Sequence, residues 1–202
     1  MPDRINHSFI TGRWQDADAV LRRALPHAMR GWLYDPCSLT QRLQQACAEN
    51  GAGGFAVRVQ SQRRQRPLRS ERRLLGMQDH EFALVRQVQL MCAGEPWVFA
   101  RTVVPLRSLR GRGRRLACLG NRPLGAMLFA DKSIRRGRLQ VAHVMAGDAI
   151  FENAIDGLKV LPEAIWGRRS VFHFAGRPLL VNEFFLPGVA CCPARSWPRQ
   201  AA

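Results

Sequence analysis

From Val20 onward, apolar residues recur at helical spacing: Val20, Leu21, Ala24, Leu25, Ala28, Met29 and Trp32. Asp16 or Asp18 can cap the start. Pro26 lies inside the run, and proline lacks the amide hydrogen that a helix interior needs, so the pattern predicts a kink or two short helices. Ser38-Leu39-Thr40-Gln41 has capping-box spacing and opens another helix, with Leu39, Leu43 and Ala46 on one face and Asn50-Gly51 as its stop. Phe55, Val57 and Val59 then alternate with polar positions, which predicts a strand.

Phe82 to Val104 reads as a β-hairpin, turning at Ala93-Gly94-Glu95-Pro96. Pro105 to Leu109 and Pro123 to Phe129 read as short helical pieces, joined through the flexible surface loop Gly111-Arg112-Gly113-Arg114-Arg115. No clear period runs through residues 139–165, where Gly147, Asn153 and Gly157 interrupt the pattern. Ser170 to Phe174 and Pro178 to Leu186 are two more strands around the tight turn Ala175-Gly176-Arg177. Four or five strands joined by short turns, with helices near the start and middle, predict an α+β fold on a single antiparallel β-sheet covered by helices and flap segments. One domain is expected over residues 1–202, with its core at about 30–188. The unpatterned N-terminal extension and the Pro-, Ala- and Arg-rich tail 189–202 are expected to be flexible.

Composition changes this picture little. With 47% hydrophobic residues among 202, the chain can bury a core. The net charge of +16 suits nucleic acid, an anionic membrane or small anionic substrates. Arginine supplies nearly all of it, Lys132 and Lys159 being the only lysines, which is more in keeping with genome composition than with phosphate binding. The arginine-rich stretch 60–73 lacks interleaved aromatic rings, so it reads as a solvated loop or hairpin end and no nucleic-acid partner is expected. No apolar run is long enough for a membrane span. Six cysteines, Cys37, Cys47, Cys92, Cys118, Cys191 and Cys192, contain no C-x-x-C pair, and no N-terminal apolar h-region precedes them, so no secretory leader is expected. They are expected to be free thiols in a cytoplasmic protein without a metal site.

Strand alternation exposes two anomalies. Leu84, Arg86, Val88, Leu90 and Cys92 share one face of the first hairpin arm, so Arg86 sits in an apolar row. Leu179, Val181, Glu183 and Phe185 share a face of the last strand, placing Glu183 among apolar neighbours. A buried charge needs a partner, and desolvation raises a carboxyl pKa unless Arg86 or another cation compensates. Two readings are equally open: Arg86 and Glu183 pair with each other inside the sheet, or they flank a small cavity for an anionic ligand. His143 and His173 fall in strands without a serine or cysteine at triad spacing.

Four blocks in order then resemble the bacterial chorismate lyase family. They are Gly94-Glu95-Pro96-Trp97 with Ala100-Arg101-Thr102-Val103-Val104-Pro105; Pro123-Leu124-Gly125 with Leu128-Phe129; Trp166-Gly167-Arg168-Arg169-Ser170; and Gly176-Arg177-Pro178-Leu179-Leu180 running to Glu183-Phe184-Phe185-Leu186-Pro187. The resemblance implies a small monomeric enzyme without cofactor. It would remove pyruvate from chorismate, leaving 4-hydroxybenzoate for ubiquinone biosynthesis, in a buried cavity closed by flaps. It also implies that Arg86 binds the aromatic carboxylate, that Glu183 meets the phenolic end, and that Leu124 contacts the ligand partly through its backbone. Leu39 stands where the family has a methionine, and Arg101 matches an arginine concerned with ligand passage or the enolpyruvyl group. A desolvated, protonated Glu183 would act as general acid.

Two rivals share this fold. One is a sibling lyase giving 3-hydroxybenzoate. The other is a non-catalytic effector-binding domain, which normally follows a DNA-binding helix-turn-helix domain; the roughly 30 residues before Leu33 are expected to be too few for one.

Overall fold

The computed structural model describes residues 13–49, 54–131 and 133–190. One seven-stranded antiparallel sheet runs through them. Its strands are β1 (Gln15–Asp16), β2 (Phe55–Gln65), β3 (Ala83–Cys92), β4 (Glu95–Pro105), β5 (Arg135–Met145), β6 (Ala164–Phe174) and β7 (Arg177–Phe185), in the order β1-β5-β6-β7-β4-β3-β2. The helices are α1 (Ala19–Ala24), α2 (His27–Leu33), α3 (Leu39–Glu49), α4 (Arg69–Leu74), α5 (Leu124–Ala130), α6 (Phe151–Ile155) and α7 (Pro187–Ala190).

Local chemistry sets the first helices. The Asp18 carboxylate accepts from the Leu21 amide at 2.7 Å and caps α1. Pro26 separates α1 from α2, as its missing amide requires. The Ser38 hydroxyl accepts from the Gln41 amide at 3.5 Å, and α3 buries Leu39, Leu43 and Cys47. Ala93-Gly94 and Ala175-Gly176 close the two tight hairpins with every residue at positive φ, between 49° and 80°. Such turns match the twist of paired strands.

Four expectations need correction. Residues 60–73 are not a loop: β2 continues to Gln65, and α4 begins at Arg69. β2 is an outer strand of the sheet, and the exposed Arg63 and Arg64 keep that edge charged, which discourages further strand pairing. The segment after Arg110 is a 3-10 helix, Gly111–Ala117. The stretch without periodicity contains β5 and α6. Finally, Cys47 and Cys92 are not free thiols but a buried disulfide joining α3 to the end of β3, with Cα atoms 5.6 Å apart across 45 residues of sequence. Cys191, Cys192 and the Asn50-Gly51 stop lie outside the described residues.

Both faces of the sheet are covered. On the first face, α1, α2 and α3 pack over Val88, Leu90, Val98, Val141 and Phe185. On the same face, farther along the strands, α5 and the two 3-10 helices, Leu106–Leu109 and Gly111–Ala117, cover Leu84, Val104, Phe172, Leu179 and Val181. On the second face, α6 packs on Phe99, Ala142, Val144 and Phe184, while Leu75 and Met77 beyond α4 pack on Val85, Val103 and Leu180. Each face therefore carries two apolar clusters with a polar band between them.

Candidate functional site

The register fixes what lies in the band of the first face. Arg86 pairs with Thr102, which pairs with Val181. One pleat along, Val88 pairs with Ala100, Ala100 with Glu183, and Glu183 with Arg168. These side chains bound a hollow of about 50 Å³, roofed by Leu39 and Thr40 of α3 and by Leu124, Gly125 and Leu128 of α5. Sites for small organic ligands usually measure about 300–1,000 Å³. A ring can therefore enter only if the roof moves away from the sheet. The roof is tight: a Cβ on Gly125 would lie 2.7 Å from the Thr40 hydroxyl oxygen.

At one end stands Arg86, 4% exposed. It donates to the Gln62 side-chain oxygen at 3.0 Å and to the Gly120 carbonyl at 2.7 Å. Both acceptors are neutral, and burial lowers the guanidinium's hold on its proton.

At the other end, Glu183 accepts from Arg168 Nε at 2.6 Å. Arg168 is 2% exposed and also donates to the carbonyls of Trp32 at 2.8 Å and Asp35 at 2.9 Å. Asp35 fixes the approach to α3. Its carboxylate accepts from the Cys37 amide at 2.8 Å and from Arg42 at 2.6 Å. Burial pushes the Asp35 carboxyl up, but these bonds together with the charges of Arg42 and Arg168 pull it net below its ordinary value. Arg136, on β5, reaches the same end. It donates to the Ser170 hydroxyl at 3.0 Å and to the Asp35 carbonyl at 3.3 Å. Burial is the main reason its pKa falls to about 10; repulsion from Arg168 adds to this, against the pull of Glu183 and Asp35.

Arg86 and Glu183 are therefore not each other's partner. Among the described residues, no carboxylate forms an ion pair with Arg86 or Arg136. Three guanidiniums and one carboxylate line the hollow, an excess of two positive charges between apolar walls. That suits a small, flat dianion. The lining cysteine, Cys37, is a poor nucleophile, since burial and then the Asp35 charge push its thiol pKa up.

Of the residues expected at the site, Arg86, Glu183, Leu124 and Leu39 border the hollow. Arg101 does not. It follows Ala100 on β4 and so projects through the second face, where Glu71 of α4 holds it with two bonds of 2.8 and 3.0 Å. Asn182 donates to Glu71 at 3.3 Å and to the Arg101 carbonyl at 3.0 Å. Parity along β4, with the pairings Arg86 to Thr102 and Ala100 to Glu183, excludes Arg101 from a cavity that contains Arg86 and Glu183. Sequence reasoning missed Arg168 and Arg136. Extending the alternation of Ser170 and Phe172 back by two residues would have placed Arg168 on the Glu183 face. No sequence signal marked Arg136, because Gly137 and a register shift between Arg136 and Leu139 break the pattern of β5.

Among the described residues, no group of three or more histidine, cysteine or acidic side chains could hold a metal ion. None of their helices is long and apolar enough to cross a membrane.

The family model described as chorismate lyase matches residues 10–191. A probable chorismate pyruvate-lyase of Azoarcus sp. is 46% identical over 175 residues, covering 85% of this chain and 90% of that protein. A second probable chorismate pyruvate-lyase, from Methylococcus capsulatus, is 43% identical over 165 residues, covering 82% and 98%. Among solved structures, the ligand-binding domain of a putative GntR-family transcriptional regulator from Bordetella bronchiseptica aligns with TM-score 0.48 at 20% identity, covering 67% of this chain and 86% of that one. The effector domain of PhnF from Mycobacterium smegmatis aligns with TM-score 0.47 at 12% identity, covering 72% and 88%.

Proposed function

The chain belongs to the chorismate lyase family, and we propose that it eliminates pyruvate from chorismate to leave 4-hydroxybenzoate, the first committed step of ubiquinone biosynthesis. The observation that carries this reading is the polar band between the two apolar clusters, where Arg86 and Glu183 stand at opposite ends of one hollow with an excess of two positive charges. Chorismate is a dianion with a carboxylate on its ring and a second on its enolpyruvyl ether. The proposed setting is a cytoplasmic monomer, as the resemblance to this family implies.

In this reading the ring lies against Val88, Ala100 and Val181. Arg86 grips the ring carboxylate through its planar fork. Leu124 opens α5, so its amide has no acceptor within the helix and is free for the ligand. The ring carbon that bears the hydroxyl faces Glu183. The ether carbon–oxygen bond breaks with its electron pair moving to oxygen. The hydrogen on the hydroxyl-bearing carbon leaves as a proton, its bonding pair completes the aromatic ring, and the enolate takes up a proton to become pyruvate. Aromatisation drives the step, so the protein's work is orientation and stabilisation of the departing enolate.

Arg168 changes the role expected of Glu183. Its Nε donates to the Glu183 carboxylate, and a carboxylate already accepting from a guanidinium offers the ring hydroxyl an acceptor rather than an acid. The positive charges beside it then stabilise the enolate directly. Chorismate turnover by variants tests these roles. Arg86→Ala should lose affinity for both chorismate and 4-hydroxybenzoate, and Glu183→Ala should lower kcat. Unchanged kinetic constants in either variant would remove that residue from the site.

A further inference from the structure

Resting on the chorismate reading, we infer that Arg136 receives the enolpyruvyl carboxylate of the substrate, a contact that the aromatic product cannot make. The ether oxygen is attached to the ring carbon next to the one bearing the hydroxyl. If the hydroxyl lies at Glu183, the enolpyruvyl group must project into the surroundings of Glu183, and its carboxylate must find a cation there or be buried unpaired at heavy cost.

Two cations border the hollow at that end. Arg168 already has a carboxylate: its Nε donates to Glu183, which balances its charge, and its Nη1 serves the carbonyls of Trp32 and Asp35. Arg136 has only neutral acceptors, the Ser170 hydroxyl and the Asp35 carbonyl. Its guanidinium carbon stands 5.6 Å from the centre of the Phe172 ring, another lining residue, so its fork is oriented before any ligand arrives. Arg136 is also crowded by the like charge of Arg168, a repulsion that an incoming anion would relieve. Arg101, which matches the family's arginine for the enolpyruvyl group, is on the far side of the sheet with Glu71.

The assignment gives Arg136 a specificity role. The ring carboxylate on Arg86 is common to substrate and product, whereas the second carboxylate departs with pyruvate. Arg136 therefore favours chorismate over 4-hydroxybenzoate and ceases to hold the ring once the ether bond has broken.

The test compares kcat/KM for chorismate with the inhibition constant of 4-hydroxybenzoate in Arg136→Gln, Arg136→Lys and Arg86→Gln. Loss of one charge-assisted contact predicts that Arg136→Gln lowers kcat/KM by roughly ten- to a hundred-fold, with the 4-hydroxybenzoate constant changed less than about twofold. Arg136→Lys should recover part of the loss, since a lysine keeps the charge without the fork. Arg86→Gln should weaken both ligands. An unchanged kcat/KM in Arg136→Gln overturns the proposal, and so does a parallel loss of 4-hydroxybenzoate affinity, which marks a structural role. Should Arg136→Gln fail to fold, Arg136→Lys decides alone: a selective loss for chorismate supports the assignment, and equal effects on both ligands overturn it. A wild-type protein that neither consumes chorismate nor binds 4-hydroxybenzoate would instead remove the underlying function.

Discussion

Glu71→Gln asks whether Arg101 belongs to the stability of the sheet or to the ligand. The Glu71 and Arg101 side chains are 2% and 5% exposed. The Glu71 carboxylate accepts two bonds from Arg101, one from the Leu68 amide and one from Asn182, so every contact to it is a donor. A glutamine amide presents one acceptor and one NH₂ group, which must then face a guanidinium nitrogen together with either the Leu68 amide or the Asn182 NH₂ group. Arg101 keeps its charge without a counterion. Breaking one partner from a buried pair costs about 3–5 kcal/mol. At about 2–4 °C per kcal/mol for a chain of this size, Tm should fall by roughly 6–20 °C. Chemical denaturation followed by circular dichroism measures the cost, and chorismate turnover well below both melting temperatures measures the site. The second reading should stay within about threefold of wild type, because the pair lies on the opposite face from Arg86 and Glu183. Replacing the pair together, Arg101→Met with Glu71→Leu, should recover most of the stability. A folded Glu71→Gln with a loss of activity above about a hundred-fold, or a stability cost below about 1 kcal/mol, would refute the reasoning.

The other predictions concern the roof, the disulfide and one histidine. Gly125→Ala should press α5 away from α3 and lower kcat/KM, while Thr40→Ala in the same chain, by removing the hydroxyl 2.7 Å from the new Cβ, should restore it; kinetics of the single and double variants decide. Reducing the disulfide that spans 45 residues, or Cys92→Ser, should cost about 2–4 kcal/mol in denaturant titrations. Burial lowers the His143 pKa, only partly offset by Asp148. Below its ordinary value of about 6.5 the unfolded chain therefore binds a proton that the folded chain resists, and stability falls with pH. His143→Phe, which keeps a ring against Trp166, should lose that component, so its Tm should gain on wild type as pH drops from about 7 to 5.

Strand parity made Arg86 and Glu183 conspicuous in the sequence, because a charge in an otherwise apolar alternation is a local signal. Parity could not say whether they meet. The answer depends on Arg168 and Gly120, which come from distant segments, and only register brings them alongside. The same rule, applied across β4, shows that Arg101 and Glu183 cannot share a cavity, a test that needs the pairing Ala100 with Glu183. The Cys47–Cys92 disulfide was hidden for a related reason: it depends on where the end of α3 lands on β3. Arg136 was invisible because β5 carries a bulge and little apolar alternation, so neither strand nor face could be assigned. Short-range features such as the Asp18 cap, the Pro26 break and the two Ala-Gly turns were legible, since their causes lie within a few residues.

Incubating the purified wild-type protein with chorismate, and identifying the products by chromatography, tests the central claim most directly. Pyruvate and 4-hydroxybenzoate should accumulate one to one as chorismate disappears, with the aromatic product slowing the reaction as it refills the site around Arg86. Chorismate left unconsumed, or 3-hydroxybenzoate in place of 4-hydroxybenzoate, would contradict the account.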